Sequence, residues 1–381
     1  MKKYIKLKQC GNYILSPKIL TNDLSKNNYI TTDNMLPNKG GITQSKNIPL
    51  NLKVTQFLKN DILLSNIRPY FKKIWLAKFM GGCSADVLVF RTNSNYDPAY
   101  IKHCLSQDAF FAYDMAGSKG SKMPRGDKDH ILNFRLLDLD IKEQQKIGRI
   151  LSNIDEKIAV NNEINKRLEQ SARAIYEYYF VQFDFPNANG KPYKSSGGEM
   201  TFNPTLNHHI PKTFEVKVMK DFLSVVTGKE DANFATKNGQ YAFFTCGDEI
   251  LRCDKSVFKG KAILIAGNGN FNVKYFDGEF NAYQRTYVLI PKNELYAGIL
   301  YFSALNRIDI FTKGSNGSIV KFITKGDIEN IPVILPNDTQ ILSVFNTILD
   351  KQNLIRIENQ KLKALRDFLL PLLLNAQVKI K

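Results

Sequence analysis

Residues 141–180 read IKEQQKIGRILSNIDEKIAVNNEINKRLEQSARAIYEYYF, and residues 336–375 read PNDTQILSVFNTILDKQNLIRIENQKLKALRDFLLPLLLN. Set 195 positions apart, Gln145 matches Gln340, Asp155 matches Asp350 and Glu163 matches Glu358. In the first stretch Ile147, Leu151, Ile154, Ile158, Asn161, Asn165, Leu168, Ala172, Ile175 and Tyr179 alternate at four and three residues, the spacing of a coiled-coil seam. The second stretch repeats this with Ile341, Phe345, Ile348, Gln352, Ile355, Asn359, Leu362, Arg366, Leu369 and Leu373. Polar residues within a seam weaken pairing but set its register and partner. Two such helices in one chain predict an intramolecular, antiparallel pair; a surface helix packed on its own module is the alternative. About 38 residues at ~1.5 Å each give a rod of roughly 57 Å.

Each long helix follows a turn-rich segment of similar length, and the period is far beyond the ~20–50 residues of a solenoid repeat. The reading is therefore two similar α+β modules, each closed by a long helix, in a pseudo-two-fold molecule. With 381 residues, each module can bury a core. Net charge is +17, of which +12 lies in residues 1–135, so the cationic excess sits on a globular module rather than on the first helix. A basic globular surface suits a polyanion such as nucleic acid, although lysines that merely solubilise account for the same total. The apolar run FLLPLLL (368–374) is too short to span a bilayer, and no signal-like segment follows the first lysines, so a cytoplasmic location is expected. Five cysteines form no CxxC pair, and His208–His209 fall in an expected loop; neither predicts a metal site.

Along the chain, DILLSNI (61–67) and DVLVF (86–90) read as strands with Gly81–Gly82 as a turn between them. DPAYIKHCLSQDAFFAYDM (97–115) reads as one helix, and PNKGGI (37–42) and SKGSKMPRGDKD (118–129) read as loops. In the second module YAFFT (241–245), KAILIAG (261–267), NVKYF (272–276) and RTYVLI (285–290) are strands and ELYAGILYFSAL (294–305) is a helix. FTKGSNGSIVKFITKGDI (311–328) is a loop region, and PNANGKPYKSSGGEM (186–200) reads as a polar linker.

YITTDNMLPNKGGI (29–42), NDILLSNIRPYFKKIWLAKFMGGCSADVLVF (60–90), the helix at 143–183 and KAILIAGNGNFNVKYFDGEFNAYQRTYVL (261–289) resemble the specificity subunit of type I restriction–modification enzymes. That resemblance implies target-recognition domains at 1–138 and 183–335, the latter beginning with the linker, a central spacer helix at 139–182 and a C-terminal spacer helix at 336–381. It implies a bipartite site in double-stranded DNA, one half read by each domain, with the helices as a ruler; the roughly 57 Å of helix estimated above corresponds to about 17 base pairs. It further implies docking of two methyltransferase subunits, which methylate adenine N6 with S-adenosylmethionine. Restriction/translocase subunits using ATP and Mg would complete a phage-defence complex. No cofactor or metal is expected in this chain itself.

The residues agree with a non-catalytic binder. There is no NPPY or DPPY tetrapeptide and no GxxxxGK[ST] loop, and AGNGNF (266–271) lacks GxGxxG spacing. Asp248, Glu249, Asp254 and Lys255 read as a polar loop rather than a nuclease cluster. For DNA contact, cations and amides on glycine-bearing loops are the candidates, since Arg reads guanine and Asn or Gln reads adenine. In the first module these are Lys39, Arg68, Lys72, Lys73, Lys119, Lys122 and Arg125. In the second they are Asn268, Asn270, Lys274, Gln284, Arg285, Lys313, Ser315 and Asn316. Arg149, Glu156, Asn162, Glu169, Arg173 and Tyr176 lie off the helical seam and form the expected partner-docking face. An orphan DNA-binding protein or coiled-coil scaffold without a methyltransferase partner is the competing reading.

Overall fold

The computed structural model describes residues 3–380 apart from 238, 270 and 314–321; the side chains of 309–313 are also outside the description. It divides into two compact units, Met1–Val160 with Gln360–Lys381, and Asn161–Asn359. Both long helices form, Ile141–Tyr176 and Gln340–Leu374, and each contributes residues to both units. Within the first unit Ile147 and Leu151 enter one core with Leu373 and Leu374, while Asp155 meets Arg366 at 3.1 Å and Lys146 reaches the Ile380 carbonyl. Advancing along one helix therefore retreats along the other, so the contact is antiparallel. The second unit repeats this sense: Asn161 donates to Asn359 Oδ1 at 2.9 Å and Glu358 Oε2 at 2.8 Å, and Gln352 donates to the Asn165 carbonyl. The seam asparagine predicted to set register is thus 1% exposed and hydrogen-bonded to its opposite number.

At its end the seam departs from the sequence pattern. The α-helix passes into a π-turn at Glu177–Val181, and Tyr176 and Phe180 are buried while Tyr179 is only half-buried. An α-helix drifts ~20° per heptad against a strict seven-residue repeat. Here that drift turns Tyr176 into the core of the second unit, against Phe302 and Phe345, with its hydroxyl 3.4 Å from Ser303.

Each unit has its own sheet, built on the same strand order. In the first, Gly11–Tyr13, Val87–Thr92, Ile62–Ser65 and Ile74–Leu76 lie in that order; in the second, Leu223–Thr227, Thr286–Pro291, Phe258–Ala266 and Val273–Ala282 do, and Tyr241–Phe244 and Leu251–Cys253 extend the row. The match extends to register. Leu63 stands opposite Trp75 and Val89, and Ile263 opposite Tyr275 and Leu289, an offset of 200 in all three strands. A small antiparallel pair also recurs, Tyr4–Lys6 with Arg135–Leu137 and Glu215–Val218 with Pro332–Leu335.

Strand Ile62–Ser65 is buried throughout because both its faces are covered. Ile62 and Leu64 meet the helical core with Tyr100 and Phe110, and Leu63 packs with Phe57, Trp75 and Val89 against a second four-stranded sheet. A continuous apolar run is the pattern such a strand requires. The equivalent Ile263 and Leu264 likewise divide between two clusters.

Three local expectations change. Gly81–Gly82 is a strand, not a turn: Gly81–Cys83 pairs with Lys53–Phe57. A Cβ on Gly81 would lie 2.1 Å from the Asn28 carbonyl oxygen, and one on Gly82 would meet Leu24 and Val54 below 3 Å, so close packing requires these glycines. The helix expected over 97–115 is two, Pro98–Leu105 and Asp108–Gly117. Asp97 caps the first by accepting from Tyr100 N, and the Ser106 hydroxyl bonds back to Lys102 O as the chain turns into an extended Gln107. His208–His209 open a strand, His208–Pro211, paired with Met200–Asn203. Residues 186–200 fold back on the helix end, where Tyr193 stacks on Phe185 and Ser195 bonds Asp184.

The aspartates matched in the helical repeat share a task. Asp155 takes Lys102 from the Pro98–Leu105 helix at 2.7 Å, and Asp350 takes Lys261 from the sheet at 3.2 Å. Each ties a long helix to the globular part of its own unit.

Candidate nucleic-acid interface

In the first unit, three loops meet through main-chain hydrogen bonds. Asn38 and Lys39 donate to the carbonyls of Phe71 and Lys72, Arg68 donates to Pro124 O, and Lys119 and Arg125 exchange a pair of bonds at 2.9 Å. All seven cationic candidates of this module therefore stand on one stitched loop cluster. Their backbone is unusual: Asn38, Lys39, Arg68 and Lys72 all have φ between 50° and 62°. Left-handed conformations at non-glycine residues cost about 1–3 kcal/mol each and gather at functional sites. Arg68 also precedes Pro69, which disfavours helical conformations further.

The cations differ in commitment. Lys72 and Lys39 both reach Asp108, at 2.9 and 3.3 Å, and the Lys72 hydrogen bond is the main cause that holds this carboxyl below its usual range. Lys119 pairs with Asp127 and Arg125 with Asp86. Lys73 turns inward, onto the Thr32 carbonyl and over the Phe71 ring, and burial lowers its pKa. Lys122 is exposed. Exposed ion pairs contribute ~1 kcal/mol or less, so a phosphate displaces them at little cost. Arg68 has no ion-pair partner among the described residues, and its Nε is buried without a hydrogen bond.

Sequence reasoning missed three parts of this surface. Tyr70 and Phe71 are 47% and 38% exposed, with ring centroids 4.7 Å apart, and Met123, next to Lys122 in its loop, is also exposed. Aromatic rings among cations are a stacking surface for bases, and RPYFKK (68–73) carried that signal. The third part, Asn66, lines an open cleft of about 600 Å³ with Lys119, Arg125 and Asp127. Behind it Asp114 is 1% exposed, and burial pushes its carboxyl up to about 6 against a smaller opposing pull from His130.

The second unit gathers a corresponding set at one end of its sheet. Gly267 N donates to Arg285 O, Gln284 N to Glu230 O, and Asn272 Nδ2 to Cys246 O. Asn268, Lys274, Gln284 and Arg285 thus come together. Lys274 is committed to the Gly247 carbonyl and Asn272, with its pKa lowered by burial, and Gln284 bonds Asp231. Arg285 is exposed and Asn268 half-buried. Asn270, Ser315 and Asn316 lie outside the described residues. So does the side chain of Lys313, whose backbone ends the helix Ala297–Lys313.

The six docking candidates do not all remain on a free face. Arg149 and Glu156 line a shallow cleft with Asp97, Gly148 and Ser152, and Glu156 also meets Lys78. Glu169 and Arg173 pair along the helix, and Asn162 accepts from Asn359. Tyr176 is buried as described, which corrects its placement off the seam. Among the described residues, no helix is long and apolar enough to cross a membrane and no group of three or more His, Cys, Asp or Glu is placed to hold a metal ion.

Residues 211–366 match the family model described as the type I restriction modification DNA specificity domain. The EcoDI type I restriction enzyme specificity subunit of Escherichia coli is 36% identical over 179 residues, 44% of this chain and 39% of that protein. The chain thus spans about two fifths of that relative's length. The MjaVIII specificity subunit of Methanocaldococcus jannaschii is 23% identical over 385 residues, 93% of this chain and 86% of that protein. The fold resembles the crystal structure of the type I restriction-modification S subunit from M. genitalium, with a TM-score of 0.58 at 15% identity, covering 98% of this chain and 96% of the other.

Proposed function

We propose that this chain is a member of the family of type I restriction–modification specificity subunits, supported by the match of residues 211–366 and by the relatives above, and that it is a non-catalytic, sequence-specific DNA-binding subunit. It reads a bipartite site, one half with each recognition sheet and its loops. The observation that carries the reading is the repeated sheet. One scaffold, matched in register across three strands, presents two loop clusters of different sequence. A common scaffold with divergent loops is how a protein reads two unlike half-sites with the same geometry. The recognition domains are assigned to 1–138 and 183–335, and the spacer helices to 139–182 and 336–381.

Adenine-N6 methylation and restriction belong, in this reading, to partner methyltransferase and restriction/translocase subunits, which hold the S-adenosylmethionine, ATP and Mg. The cleft beside Arg149 and Glu156 is the proposed contact for a methyltransferase subunit, and the complex acts in the cytoplasm. A map of N6-methyladenine across the host genome, with and without this gene, tests the role. Loss of one split motif on deletion is expected. An unchanged methylome refutes the directing role and favours an orphan DNA binder. Exchanging residues 1–135 for those of a relative changes only one half of the motif; a change in both halves refutes the modular assignment.

A further inference from the structure

We propose that Arg68 and Asn268 are equivalent specificity residues, Arg68 reading a guanine in one half of the site and Asn268 an adenine in the other. The assignment rests on the DNA-reading role proposed above and narrows it to one position in each unit. The two hairpins share a ladder at an offset of 200: Leu64 stands opposite Ile74, and Leu264 opposite Lys274. Counting onward from Leu64 and Leu264, Arg68 and Asn268 fall at the same step of the connecting loop. One place in the fold is therefore filled by two different chemistries. A guanidinium fork matches guanine O6 and N7, and a carboxamide matches adenine N6 and N7; neither substitutes for the other.

Arg68 is held by its own backbone and Asn268 follows a pinned Gly267, and the side chains of both are left unengaged among the described residues. Arg68 donates its N–H to Pro124 O and accepts from Phe71 N, and Pro69 fixes the next φ. Lys39, Lys72, Lys119 and Arg125 of the same cluster are held by carboxylates. Arg68 is not: no carboxylate pairs with it among the described residues, and its Nε makes no hydrogen bond. Lys122 is exposed but offers a point charge, suited to phosphate rather than to a base edge. In the second unit Gly267 is pinned on both sides, donating to Arg285 O and accepting from Ile323 N, each at 2.9 Å. A Cβ there would lie 2.8 Å from the Arg285 oxygen, and Gly269 has φ 72°, so Asn268 is the one side chain this part of the turn presents. It makes no side-chain hydrogen bond among the described residues.

The test enriches a pool of DNA duplexes with a random core on the purified full-length chain and on Arg68→Ala, Arg68→Lys, Asn268→Ala and Asn268→Ser. Failure of the unsubstituted chain to enrich a split motif overturns the DNA-reading role and the assignment with it. Given a motif, Arg68→Ala is expected to lose roughly 5- to 150-fold discrimination at one G·C pair in one half, with the other half unchanged. Asn268→Ala is expected to do the same at one A·T pair of the other half. An unaltered motif, or one loosened in both halves by a single substitution, overturns the assignment and leaves the role standing. Arg68→Lys keeps the charge without the fork: retention of the full guanine preference refutes fork reading, and relaxation at that pair alone supports it. If both substitutions at a position enrich nothing, that residue is structural and the assignment falls.

Discussion

Asp155 offers the most direct measure of what ties a recognition module to its helix. It lies between Lys102 at 2.7 Å and Arg366 at 3.1 Å, with side chains only 14% and 21% exposed on the cationic side. Burial raises its pKa, but Lys102 and then His103 and Arg366 outweigh that and bring it to about 2 from 3.8. At about 1.36 kcal/mol per pH unit, the difference corresponds to roughly 2 kcal/mol. Asp155→Asn removes that and leaves two poorly solvated cations facing each other, so the expected loss is about 2–3 kcal/mol at pH 7. A carboxyl whose pKa is depressed by folding contributes above its unfolded value and loses that contribution as pH falls through the folded value. The gap between wild type and variant should therefore be constant above about pH 5 and shrink between about pH 4 and pH 2. Trp75 is the chain's single tryptophan and sits 8% exposed in the core of the same unit, so its fluorescence in a urea titration reports this transition. A variant within about 0.5 kcal/mol of wild type at pH 7, or a gap that ignores pH, would refute the reasoning.

Gly81→Ala should destabilise the same Trp75 transition by about 1–3 kcal/mol, since its methyl meets the Asn28 carbonyl at 2.1 Å; an unchanged midpoint would show that the strand has room. Asn161→Leu alone should cost about 1–3 kcal/mol in thermal or chemical unfolding by removing the buried donor to Asn359 Oδ1 and Glu358 Oε2. Adding Asn359→Leu should recover most of that loss, and a double variant no better than the single would show that the polar layer is not a simple pair. Inserting one heptad into each long helix adds ~10 Å of helix, and the methylated motif should gain about three base pairs between its halves; an unchanged gap would end the ruler interpretation.

Much of this architecture was legible without coordinates, because its signals are periodic and local. The 4-3 alternation from Ile147 to Ala172 and the apolar run at Ile62–Ser65 state which faces must leave water; the run is buried throughout, and the seam is buried except at Asn165 and Leu168, which are half-buried. The asparagine at 161 was readable as a register device, since a seam position tolerates a polar residue only with a partner. What depended on the three-dimensional fold was everything settled by a neighbour distant in the chain. Gly81 and Gly82 read as a turn because glycine marks turns, yet the backbone of Asn28 and the side chains of Leu24 and Val54 demand their missing Cβ atoms. Tyr176 read as free because the heptad count considers only a straight seam, whereas Phe302 of the globular helix Ala297–Lys313 joins Phe345 of the partner helix in covering it. Charge alone ranked the seven basic loop residues of the first module equally. Asp108, Asp127 and Asp86 set Arg68, Lys73 and Lys122 apart from the other four only once the loops are folded together, since ion pairing depends on distances that composition does not contain.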